Sequence, residues 1–161
     1  MVRLRVLSAL LLLMPALAPA QETVTIPSVV PYADGVGTVD LRKECDWNRQ
    51  ISDYIVKYSK RAVASAENLS TVQGPVLWLT VTEVHAAGGG NFSGPKWGAV
   101  TGELKKGGQI VGSFVDMRQV FQSGLSFTAC GVLGHVSKAI GKDVAKWLEN
   151  PTMDAKLGNA R

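Results

Sequence analysis

The chain is poor in reactive side chains. Its 161 residues include two cysteines, Cys45 and Cys130, and two histidines, His85 and His135. Neither cysteine belongs to a Cys-x-x-Cys or Cys-x-x-Cys-His pattern, so thiol redox catalysis and covalent haem attachment have no basis in the sequence. Two cysteines and two distant histidines supply no recognisable structural zinc set. There is no Gly-x-Ser-x-Gly nucleophile elbow. The run Gly88-Gly89-Gly90 follows His85 only after two alanines, so it is not the His-Gly-Gly-Gly oxyanion loop of esterases, and it lacks the spacing and following helix of a dinucleotide site. No catalytic residue, metal or cofactor is assigned on these grounds, and the reading is of a non-enzyme.

Charge is also modest. Lysine and arginine number 17 against 13 acidic residues, a formal net charge of +4. Two of the basic residues, Arg3 and Arg5, stand at the extreme N-terminus, and without them the balance is about +2, too mild to argue for a nucleic-acid partner. These arginines form the basic n-region of an expected signal peptide. Leu7 to Leu17, interrupted only by Ser8 and Pro15, is its apolar stretch, and Ala18-Pro19-Ala20 before Gln21 fits the small-x-small cleavage rule. The stretch is shorter than the roughly 20 residues a helix needs to span a bilayer, and no later segment is apolar enough to do so. The expected organisation is a signal peptide at 1–20, a single domain at 21–150 and a flexible C-terminal tail at 151–161. Such a chain would work in the periplasm or outside the cell, where one pair of cysteines is expected to form one disulfide.

Along the chain, Gln21 to Arg42 reads as extended. Thr23, Thr25 and Val29-Val30 favour a strand that Pro27 and Pro31 confine to an edge or split, and Val36 to Leu41 offers a second short extended run. Asp46 is a candidate N-cap for a helix whose apolar stripe is Trp47, Ile51, Tyr54, Ile55 and Tyr58. Ala62 to Gln73 reads as a connector. Asn68 and Asn91 each begin an Asn-x-Ser sequon, which matters only in a eukaryotic host. Three strand-like runs follow, Val76–Val84, Trp97–Lys105 and Gln109–Met117. A Gly107-Gly108 turn between the last two would pair Lys106 with Gln109 and Leu104 with Val111, so that Val100, Gly102 and Leu104 share a face with Val111, Ser113 and Val115; Ile110 and Phe114 then fall on the other face, and the register stays open. A final helix opens at Cys130, with Thr128 as a candidate cap and Leu133, Val136, Ile140, Val144, Trp147 and Leu148 as its stripe.

The order is β-α-β-β-β-α. The expected fold class is α+β: a two-layer sandwich with a three-stranded antiparallel meander, one or two N-terminal strands, and two parallel helices on one face. Direction alone has a consequence. If the first strand runs parallel to the second across the first helix, both helices start at the same end of the sheet. Cys45, just before one helix, then meets Cys130, which opens the other. Closing this loop of roughly 85 residues is worth up to about 4–5 kcal/mol in the chain-entropy picture.

The candidate recognition loop comprises His85, Gly88, Gly89, Gly90, Phe92 and Trp97. Its aromatics belong to no helix stripe, and the glycines leave backbone amides free. His135, flanked by Lys138 and Lys142, reads as a solvent-boundary residue rather than a ligand. Asp40, Glu44 and Asp46 are explained by favourable charge at a helix start.

Leu77-Trp78-Leu79-Thr80-Val81, Gly102-Glu103-Leu104, Gly107 to Phe114 and the helix Lys138 to Leu148, in this order after a signal peptide and a cysteine-started helix, resemble small bacterial cell-envelope proteins of an uncharacterised family. Their layout is similar to that of the N-terminal domain of the periplasmic TolB protein and of envelope assembly lipoproteins. This chain departs from many of them in having no cysteine at the cleavage site to carry lipid. No catalytic residues come with the resemblance; an unidentified protein partner in the cell envelope is expected because the chain reads as an exported, compact α+β domain without a catalytic constellation. The expected role is that of an exported accessory domain; the alternative is a secreted inhibitor or immunity-type protein against an envelope-acting enzyme.

Overall fold

A computed structural model describes residues 22–61, 63–86, 95–120 and 128–161. The elements in chain order are β1 (Val24–Pro27), α1 (Val39–Glu44), α2 (Trp47–Tyr58), β2 (Val63–Ala66), β3 (Val76–His85), β4 (Lys96–Lys106), β5 (Gln109–Val120), α3 (Ala129–Trp147) and β6 (Ala155–Gly158). Six strands form one open mixed sheet in the order β2-β1-β3-β4-β5-β6. The β3-β4-β5 meander is antiparallel, while β1 runs parallel to both β2 and β3, and β6 parallel to β5. Helices α2 and α3 pack against each other and cover one face, giving the expected α+β two-layer sandwich.

The core follows from periodicity. On β3, Leu77, Leu79 and Val81 point inward at a spacing of two, and Trp47, Ile51 and Ile55 meet them from α2. From α3 come Leu133, Val136, Ile140 and Val144, all without solvent exposure. The helix layer sits tightly on the sheet at Gly98, where a Cβ would lie 2.8 Å from the Trp47 ring. Thr128 caps α3 as its sequence indicates, its hydroxyl accepting from the Gly131 amide at 3.1 Å. The disulfide also forms: Cys45 and Cys130 are bonded with Cα atoms 5.1 Å apart, joining the starts of α2 and α3.

Four local readings are corrected. Val36–Leu41 does not form a strand. Residues Val39–Glu44 form a short helix, because the Thr38 hydroxyl accepts from the Leu41 amide at 3.2 Å and Asp40 lies in the positive first turn. The connector contains β2, held by backbone pairing to β1. The expected tail contains β6, whose Ala155 and Leu157 alternate onto the core, a signal of only two residues. In the meander, Lys106 does pair with Gln109, but a bulge follows. Lys105 then faces Ile110 and Leu104 faces Gly112, so Val111 is the extra residue. The bulge turns Gly112, Phe114 and Asp116 inward in place of Val111, Ser113 and Val115.

Candidate functional site

Of the candidate loop, His85 and Trp97 lie among the described residues. They are cross-strand partners on β3 and β4, and their rings stack with centroids 4.0 Å apart at 13°. Gly88, Gly89, Gly90 and Phe92 lie outside the described residues. Beside the stack, His85 and Ala86 form one wall of a groove of about 520 Å³ completed by Asp40, Leu41, Glu44 and the Cys45–Cys130 disulfide. The sequence placed the two cysteines at the end of the sheet, and the structure brings His85 to the same end. Among the described residues, no group of three or more His, Cys, Asp or Glu side chains could hold a metal ion.

A second surface was not foreseen. Because Leu77 and Leu79 point into the core, the pleat sends Trp78 to the opposite face, which no helix among the described residues covers. There Trp78 is 43 % exposed, and the neighbouring hairpin end adds Ile110 at 44 % and Val111 at 43 %. The Lys105 ammonium stands 5.8 Å over the Trp78 ring. Trp78 separates two hollows. One, of about 520 Å³, is lined by hydroxyl and charged groups including Thr80, Thr101, Glu103, Ser113 and Lys156. The other, of about 280 Å³, is lined by Pro27, Val29, Pro31 and Leu69. The strand alternation itself could have found Trp78, since a tryptophan between two leucines on a half-buried strand must face outward.

The third feature is electrostatic. Asp116 on β5 has no solvent exposure, and neither carboxylate oxygen has a hydrogen-bond partner among the described residues. Burial, reinforced by the nearby Asp143 carboxylate and opposed by Arg118, pushes its pKa up to about 7. Arg118 is already committed. Its Nε donates to Asp143 Oδ2 at 2.5 Å and a second guanidinium nitrogen donates to Asp143 Oδ1 at 2.7 Å. This bidentate pair raises the Arg118 pKa, the hydrogen bond to Asp143 being the main cause. Over Asp116 lies Gly158 of β6, with φ of +63° and a would-be Cβ 2.6 Å from Asp116 Oδ1 and 2.8 Å from Arg118 Nε. Only glycine fits there.

No protein-family model matches the chain, and no curated protein is similar to it. Solved structures do resemble it. An uncharacterised protein superposes with a TM-score of 0.50 at 14% identity, over 78% of this chain and 87% of its own. The PelC dodecamer from Paraburkholderia phytofirmans aligns at 22% identity with a TM-score of 0.44, over 77% of this chain and 91% of its own. A variant of that dodecamer aligns at 23% with a TM-score of 0.43, over 80% and 93%. At these identities the likeness is one of fold, carried by the first of the three, and it transfers no activity or assembly to this chain.

Proposed function

We propose that this chain is an exported domain of the cell envelope that acts by contact with another protein rather than by catalysis. The observation that carries the reading is the sheet face that no described helix covers, where Trp78 is exposed under Lys105 and Ile110, the cross-strand partner of Lys105, is exposed as well. Large aromatic and aliphatic side chains grouped on one face, with hollows beside the aromatic, are the anchors that protein interfaces use. An oxidising compartment is supported by the Cys45–Cys130 bond and by the signal-like N-terminus. No helix among the described residues is long and apolar enough to cross a membrane. The resemblance of the sequence to small envelope proteins points to the same compartment.

Site-specific photo-crosslinking in cells tests this. A photoreactive residue at Ile110 is expected to give one discrete adduct with an envelope protein. The same residue at Val56, equally exposed at 41 % on the helix layer, is expected to give none. Identical diffuse adducts from both positions would refute the assignment of the face.

A further inference from the structure

We propose that Asp116 is a proton-operated latch on the C-terminal strand: while its carboxyl is neutral β6 stays closed against β5, and loss of the proton releases β6. The geometry rests on what surrounds the carboxyl. Asp116 has no solvent exposure and no hydrogen-bond partner among the described residues, so an ionised carboxylate there has nothing to replace its water. Among the described residues the cation that acts on it is Arg118 of its own strand, which is held by both oxygens of Asp143. From α3, Asp143 presents a like charge. From β4 the cross-strand neighbour is Val100, and from β6 it is Leu157 with Gly158 beyond, none of which titrates. The nearby lysines look elsewhere: Lys142 lies 5.1 Å over the Tyr58 ring and Lys156 lines the outer hollow.

Access to water is where the latch acts. A Cβ at Gly158 would lie 2.6 Å from Asp116 Oδ1, and Gly158 itself is exposed, so at this point β6 is a lid one backbone thick. Helix α3, by contrast, is fixed by the core and by the disulfide at its start. The strand is short, four residues, and beyond its ladder the described bonds that tie its segment to β5 flank it at either end, including the Ser113 amide on the Thr152 carbonyl at 3.0 Å and the Gln119 amide on Asn159 Oδ1 at 3.3 Å. Ser113 Oγ and Asp154 bond reciprocally at 2.8 and 3.1 Å, and the Asn159 amide donates to the Met117 carbonyl at 2.7 Å. Lifting β6 is therefore the least disruptive way to hydrate the carboxylate. A neutral carboxyl costs far less than a carboxylate to leave unhydrated, and β6 stays down.

Amide hydrogen exchange on the mature, disulfide-bonded chain tests the latch, with rates corrected for the intrinsic effect of pH. With a closed-state pKa near 7 and an open-state value near 4, opening of β6 is expected to become about 30-fold more favourable between about pH 5.5 and about pH 8.5. Protection at Lys156, Leu157 and Gly158 should fall by that factor while Ile140 and Val144 of α3 stay constant. In Asp116→Asn, which keeps the shape and cannot ionise, β6 protection is expected to be flat with pH. The Asp143→Asn protein removes the like charge and frees Arg118, so its transition is expected to move to lower pH, a shift that loss of packing alone would not produce. Constant β6 protection in the unaltered chain would overturn the proposal. So would the same pH-dependent fall in Asp116→Asn or, if that variant does not fold, an unmoved midpoint in Asp143→Asn.

Discussion

Asp116 makes the global stability of this protein depend on pH in a direction opposite to that of most carboxylates. A folded-state pKa raised from 3.8 to about 7 means that the folded chain holds a proton that the unfolded chain releases. Stability is then fully present below about pH 4 and is lost as pH rises, by about 1.4 kcal/mol per unit, until the folded carboxyl ionises near pH 7. Across that window the loss is at most about 4 kcal/mol, and it is smaller if β6 lifts at lower cost than carrying a buried charge. Replacing Asp116 by asparagine keeps the shape and removes the titration. Urea unfolding of both proteins at several values between pH 4 and pH 9 isolates the effect, because every other titrating group is common to the two. The Asp116→Asn protein is expected to gain on the unaltered chain by roughly 2–4 kcal/mol from the acid to the alkaline end of the series. Parallel stability profiles would refute the assignment of a neutral, buried carboxyl.

Three further outcomes follow from packing and covalent structure. Reducing Cys45–Cys130, or replacing both cysteines by alanine, should lower the unfolding free energy by up to about 4–5 kcal/mol, read from the denaturation midpoint with and without reductant. Gly98→Ala places a methyl group 2.8 Å from the Trp47 ring and should cost about 1–3 kcal/mol in the same assay. Gly158→Ala meets both an unfavourable φ and the side chains of Asp116 and Arg118, so it should detach β6 at every pH, seen as rapid exchange of Lys156 and Leu157 with α3 still protected.

How much of this was legible in the sequence depended on the length of the signal. The α3 stripe from Leu133 to Leu148 repeats over several turns, and all six of its residues are buried. The disulfide was legible for a different reason: strand direction alone puts the starts of α2 and α3 together, and the Cys45–Cys130 bond lies there. Short elements escaped because their causes are local or distant. Helix α1 depends on one capping hydroxyl, Thr38, against a run that favours extension. Strand β6 exists because β5 offers it an edge, which Ala155 and Leu157 cannot announce by themselves. The bulge at Val111 mattered most. Without it, Val111, Ser113 and Val115 face inward and Asp116 reads as an ordinary surface acid; one extra residue reverses the alternation and buries the carboxyl. The candidate site was legible only in part. His85 and Trp97 do stack at the end of the sheet, whereas Trp78 was read as a strand residue and not as a surface.

The central claim is that the uncovered sheet face makes the functional contact, and the most direct measurement combines the photoreactive residue at Ile110 with Trp78→Ala in the same chain. Trp78 is exposed, so its removal is expected to leave the unfolding midpoint nearly unchanged. If the face acts as proposed, the discrete adduct from Ile110 disappears in the Trp78→Ala background and remains when Trp97→Ala is substituted instead. An adduct of undiminished yield without Trp78 would contradict the account.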